Sequence, residues 1–208
     1  MKSKILQIIL VIVFAIDLFF IFTNQTEMRF FTKPLLLPIL ISVYISRVKS
    51  EKNQLDTFFL IGLILSFFGD LFLLFKWGFL PGLGSFLLAH VFYIISFRKK
   101  IQKLIWKFWP VVLGLFATIL LISLFPYLKE MKIPVIIYAV VISAMMYAAL
   151  KTKNRNLIIG ALLFLISDTL LSINLFVQPL MILNLLVMIT YVMAQWFLVR
   201  GMLFSKNS

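Results

Sequence analysis

Gly62-Leu-Ile-Leu-Ser-Phe-Phe-Gly-Asp70-Leu-Phe-Leu-Leu74 is an apolar run with one carboxylate inside it, and it occurs twice. Ninety-eight residues on, Gly160-Ala-Leu-Leu-Phe-Leu-Ile-Ser-Asp168-Thr-Leu-Leu-Ser172 repeats the glycine, the leucine three places after it, the aspartate and the leucine three places beyond that. Both runs fall in windows long enough to span lipid. An ionisable side chain at that depth costs roughly 2.5–3.5 kcal/mol even on lenient insertion scales, so two at equivalent places point to a task inside the membrane.

The rest of the chain supplies the membrane context. With 208 residues of which 63% are hydrophobic and 13% charged, and a mean hydropathy of +1.11, it has far more apolar surface than a soluble domain of this size can hide. Cysteine is absent and there is one histidine, which excludes disulfide frameworks, thiolate metal sites and all-imidazole zinc sites. A metal would have to rest on carboxylates, and no metal site is predicted. The first apolar segment begins with Lys2 and Lys4 like a signal peptide, yet Ile5–Phe22 contains Asp17 and no small-residue cleavage site follows. It reads as a retained helix.

Windows of about 20 apolar residues, broken by charged or Pro/Gly-containing stretches, give eight spans. They lie near 5–23, 32–47, 57–75, 82–97, 106–125, 132–150, 157–175 and 179–199. The expected fold is all-α: a polytopic membrane protein with eight transmembrane helices, forming a single transmembrane domain over 1–208. Fifteen of the 20 Lys and Arg fall at the N-terminus, in the loops around 47–52, 98–107 and 151–155, and after 199; five fall in the alternate loops. The positive-inside rule therefore puts both termini in the cytoplasm. The net charge of +13 is accounted for by this bias together with anionic head groups, and no nucleic-acid partner is expected.

The 98-residue offset also matches Tyr93 to Tyr191. Four spans per half is an even number, so both halves, about 1–104 and 105–208, would enter the membrane in the same sense. That predicts two parallel four-helix repeats around a central polar cavity, with Asp70 and Asp168 facing each other across the repeat axis. At about 1.5 Å per residue, Asp70 would sit roughly 6 Å past the middle of its span and Asp168 roughly 3 Å past.

Other polar residues gather by helical spacing. Gly62, Ser66 and Asp70 recur every four residues and form a narrow strip suited to helix contact. Asn184, Met188, Tyr191 and Gln195 make a mostly polar stripe on the last span, and His90 and Tyr93 a shorter pair on the fourth. Lys33 opens the second span from the outer side, where a lysine can snorkel. Asp17 has no repeat counterpart, Leu115 standing at the offset, and a hydrogen bond to a neighbouring Ser or Tyr would explain it.

Five motifs in order carry a resemblance. Lys33-Pro34, Ser66-Phe-Phe-Gly-Asp70-Leu-Phe-Leu-Leu74, Ser85-Phe-Leu-Leu-Ala-His90-Val-Phe-Tyr93, the run from Gly160 to Leu171 with Asp168, and Tyr191-Val-Met-Ala-Gln195-Trp-Phe-Leu resemble the YhhN-like family of membrane lysoplasmalogenases over nearly the whole chain. The resemblance implies hydrolysis of the vinyl-ether bond of lysoplasmalogens to a fatty aldehyde and glycerophospho-ethanolamine or -choline. The substrate would be a lysophospholipid taken from the surrounding membrane lipid, no cofactor would be needed, and oligomeric state is left open. Asp70 and Asp168 match the family's membrane aspartates and would be catalytic.

Vinyl ethers open by protonation of the β-carbon, which forms an oxocarbenium-like cation that water traps. Two carboxyls suit this chemistry, one as acid and one as the ion that stabilises the cation and orients water, as in glycosidases. The residues alone do not assign the two roles. Lys33 would meet the lipid phosphate, and Ser66, His90, Tyr93, Asn184, Tyr191 and Gln195 would support substrate or water. Paired intramembrane carboxylates in a parallel repeat also suit a proton-coupled transporter of a small or lipid-like solute, which is the competing class.

Overall fold

In a computed structural model describing residues 2–102 and 108–204, the chain is helical throughout, with no strand among the described residues. Eight helices follow in order: α1 (Lys2–Phe22), α2 (Arg29–Ser50), α3 (Thr57–Phe72), α4 (Phe79–Arg98), α5 (Trp109–Leu124), α6 (Lys132–Lys151), α7 (Arg155–Phe176) and α8 (Met181–Leu203). A single 3₁₀ turn, Lys129–Met131, leads into α6. The predicted start of the fifth span at 106, and the basic residues Lys103, Lys107 and Lys206, lie outside the described residues.

Six of these helices are long and apolar enough to cross a membrane: α1, α2, α4, α6, α7 and α8. Of the eight expected spans, those at α3 and α5 form shorter apolar helices of 16 residues each. Sixteen residues rise about 24 Å, short of a hydrocarbon core of about 30 Å. α3 stops early because the chain turns at Leu73, whose N–H closes on the carbonyl of Gly69 while the N–H of Leu74 closes on that of Leu71. Trp77 then folds back to stack on Phe75, ring centroids 5.5 Å apart. Asp70 is consequently two residues from the end of α3 and about 8 Å past its midpoint, against the roughly 6 Å expected. Asp168 lies about 4 Å past the midpoint of α7, close to expectation.

The outer faces suit lipid. Ile8, Val11 and Ile12 on α1, and Val111, Leu115, Ile119 and Ile122 on α5, are all exposed. Such continuous apolar surface would drive association in water, but it matches acyl chains at no cost.

The helices form two compact units, residues 1–93 and 94–208. In the first, α1 and α2 make an antiparallel hairpin tied at both ends. Arg47 Nε donates to Ser3 Oγ at 2.8 Å at one end, and Arg29 reaches Asp17 at the other. α2 packs on α3, with Tyr44 edge-on to Phe59 at 5.2 Å. α4 then approaches α3 at its glycines, where a Cβ on Gly62 would strike the ring of Tyr93 and one on Gly69 the ring of Phe86. Small residues at these points let the helices come close enough for dispersion contacts, which drive packing where lipid removes the hydrophobic gain.

In the second unit α7 and α8 interlock reciprocally. A Cβ on Gly160 would lie 2.8 Å from Leu198 Cδ2, and one on Gly201 2.6 Å from Leu157 Cδ2, so each helix offers a leucine to the other's glycine. α6 and α5 also pack on α7.

The sequence repeat has local structural content. Asp56 caps α3 by accepting from Phe59 N at 2.9 Å, and Asn154, 98 residues later, caps α7 by accepting from the N–H groups of Asn156 and Leu157. Each cap satisfies donors that a helix start would otherwise strand. Ser66 and Tyr93 share a hydrogen bond of 3.2 Å, while the equivalent Phe164 and Tyr191 meet edge to face at 5.4 Å. The same two positions touch in both halves, through different chemistry.

Candidate active site

Each aspartate of the repeat meets a side chain from the helix before it. In the first unit Lys33, in the second turn of α2, extends its ammonium to 3.5 Å from Asp70 Oδ1. Both residues are buried, at 8% and 3% exposure. Two charges out of water are tolerable only as a pair, because either alone would carry a desolvation cost of several kcal/mol. The burial also changes the reading of Lys33. A snorkelling lysine would hold its ammonium at the head-group level, whereas this one turns inward to the carboxylate.

In the second unit Tyr138 of α6 donates its phenol to Asp168 Oδ2 at 2.5 Å. The two line a cavity of about 40 Å³ between α5, α6 and α7, together with Ser143, Thr169 and Ser172. The Oγ of Ser143 is shielded and has no hydrogen-bond partner among the described residues. Thr169 and Ser172 satisfy their hydroxyls on the carbonyls of Leu165 and Thr169, so they add polarity without being committed to Asp168. Sequence reasoning missed Tyr138. Its signal was a phenol in an apolar span, one turn before Ile142, which α6 buries.

Asp17 is the third carboxylate on an apolar helix, and it is fully enclosed. Arg29 grips it with Nε on Oδ1 and Nη2 on Oδ2, both at 3.3 Å, and Thr32 Oγ1 donates to Oδ1 at 2.7 Å. Two oxygens held by a forked guanidinium and a hydroxyl make a hairpin clasp. The expected kind of partner, a hydrogen-bonding neighbour, is present, but as Thr32 with Arg29 in place of Ser or Tyr. Arg29 had been read only as a loop charge.

The supporting residues separate by position. Ser66 is bonded to Tyr93, and His90 is fully buried with its ring 6.4 Å from that of Tyr93. Met188, Tyr191 and Gln195 form the buried face of α8. Asn184, one turn earlier on the same stripe, is exposed, and its Oδ1 accepts from Asn174 Nδ2 at 2.9 Å. Asn174 in turn accepts from Leu180 N at 2.8 Å, so this pair closes the α7–α8 turn. No cluster of three His, Cys, Asp or Glu that could hold a metal occurs among the described residues.

Two curated relatives are human lysoplasmalogenase TMEM86B, 33% identical over 141 residues, and its pig counterpart, 31% identical over the same length. In each case the match covers 64% of this chain and 58% of the relative, so the chain spans little more than half the length of either. No solved structure matches. The family model for the YhhN family matches residues 28–202, which takes in Lys33, Asp70, Tyr138 and Asp168, and the chain is a member of the YhhN family.

Proposed function

We propose that the protein is an integral membrane hydrolase that opens the vinyl-ether bond of lysoplasmalogens, releasing a fatty aldehyde and glycerophospho-ethanolamine or -choline. The observation that carries the reading is the unequal partnering of two membrane aspartates: an ammonium stands against Asp70 and a phenol against Asp168. The relatives named lysoplasmalogenase support it.

The unequal partners suggest the roles. Asp70, held by Lys33, acts as the ionised carboxylate. Asp168, whose Oδ2 already accepts from a neutral phenol, carries the transferable proton on its other oxygen. That proton goes to the β-carbon of the vinyl ether, leaving an oxocarbenium ion of the kind that an ionised carboxylate stabilises. Water adds to the α-carbon and gives its proton to a carboxylate. The hemiacetal then collapses, its glycerol oxygen takes a proton, and aldehyde leaves. No metal or organic cofactor enters these steps. Both termini are assigned to the cytoplasm on the basic-residue asymmetry, with the substrate arriving laterally from lipid.

Purified protein in detergent micelles, given a panel of vinyl-ether and ester lysolipids, tests the reading. Aldehyde release from the vinyl ethers alone is expected. A protein that releases none in detergent but moves protons or solute across sealed vesicles would be a transporter using the same aspartates.

A further inference from the structure

The reacting double bond of a vinyl-ether lipid consists of the first two carbons of its own hydrocarbon chain. Whatever protonates that bond must therefore stand at the mouth of an apolar path. Asp168 does: apart from Tyr138 and the hydroxyls of Ser143, Thr169 and Ser172, the cavity is walled by aliphatic and aromatic side chains, among them Ala117 and Leu121 on α5, Ile142 on α6 and Leu165 on α7. At about 40 Å³ the cavity itself holds only the first few carbons of a chain. Leu121, however, also lines a wider depression of about 330 Å³, bounded by Ile122, Phe125 and Pro126 toward the C-terminal end of α5. Leu121 is thus shared by a small cavity at the carboxyl and a larger depression on α5.

We infer that this α5–α6–α7 cleft receives the hydrocarbon chain of the lipid and that Leu121 sets where the chain passes from the cavity at Asp168 to the outer depression. The inference rests on the hydrolase reading for the identity of the lipid, but binding can be measured without turnover. Leu121 is then a specificity-determining residue, and Ala117, one turn before it on α5, lines the same inner cavity.

The test has two arms. In the first, kcat and KM are measured for 1-alkenyl lysolipids of increasing chain length with the wild type, Leu121→Trp and Leu121→Ala. Each buried methylene is worth about fourfold in affinity, so blocking the passage with Trp should flatten the gain beyond the first few carbons, while Ala should favour longer or branched chains. The Ala variant keeps the test decisive if Trp folds poorly. In the second arm, a non-hydrolysable 1-O-alkyl lysolipid with a diazirine at the chain end should label peptides of α5, α6 and α7 in the wild type, and lose that label in the Trp variant. Chain-length profiles identical in all three proteins, or label landing outside α5–α7, would overturn the cleft assignment and leave hydrolysis standing. If the wild type turns over no vinyl ether, the hydrolase reading falls and the labelling arm alone decides whether the cleft takes a lipid chain.

Discussion

Lys33 Nζ stands 3.5 Å from Asp70 Oδ1 with both side chains at most 10% exposed, which makes a residue expected at the lipid head group the counter-ion of a membrane carboxylate instead. Removing one partner of such a pair leaves the other charge stranded, at about 3–5 kcal/mol. Lys33→Met should therefore lower the melting temperature in detergent and abolish turnover, while Lys33→Met with Asp70→Asn should melt higher than Lys33→Met alone. If the single variant melts like the wild type, the pair carries no such coupling.

Asp70→Asn and Asp168→Asn should each reduce kcat by at least about 10²–10⁴-fold with the helices still assembled, since an amide keeps the size but neither donates an acidic proton nor carries charge. Asp17→Asn should behave differently. It leaves Arg29 without its counter-charge, so the expected loss is in stability, with turnover per folded molecule largely kept. Equal, modest losses of turnover at all three positions would mean that the carboxylates are all structural.

Tyr138→Phe removes one hydroxyl and keeps the ring. A hydrogen bond to a charged or reacting carboxyl is worth about 1.5–3 kcal/mol, so kcat should fall by roughly 10–100-fold with KM little changed. A fall in KM-dependent terms alone would assign Tyr138 to substrate binding and not to holding Asp168.

Glycines separate contact from propensity. Gly160→Ala places a methyl 2.8–2.9 Å from Leu198, its backbone nitrogen included, and should destabilise by about 1–3 kcal/mol. Gly114→Ala meets nothing within 4 Å and should be neutral or slightly stabilising, since alanine is the better helix former. Thermal melts of the two variants in one detergent decide the matter; a reversed order would show that α7 and α8 do not pack as described.

Protonation at carbon leaves a record. Turnover in D₂O should be slowed by a primary isotope effect and should place deuterium on the α-carbon of the aldehyde. EDTA should have no effect. Activity lost to chelation and restored by a divalent ion would require Asp70, Asp168 or His90 to be reassigned as ligands.

The sequence by itself determined the helices and the positions of the membrane carboxylates, because both are local properties. Span boundaries follow from apolar windows and match the observed helices within a few residues, and the 98-residue offset carries through to the caps at Asp56 and Asn154. Helical spacing likewise put Ser66 and Asp70 on one face, and Met188, Tyr191 and Gln195 on another, which the buried faces of α3 and α8 reproduce. What the tertiary structure alone decided is which faces meet. The partners Lys33 for Asp70, Arg29 for Asp17 and Tyr138 for Asp168 each come from a different helix, 37, 12 and 30 residues away in the chain. A period of 3.6 residues fixes directions within a helix but says nothing about the rotation of its neighbour. That rotation is set by where Gly62, Gly69 and Gly160 admit another helix closely, and by the need of each buried carboxylate for a donor that lipid does not offer.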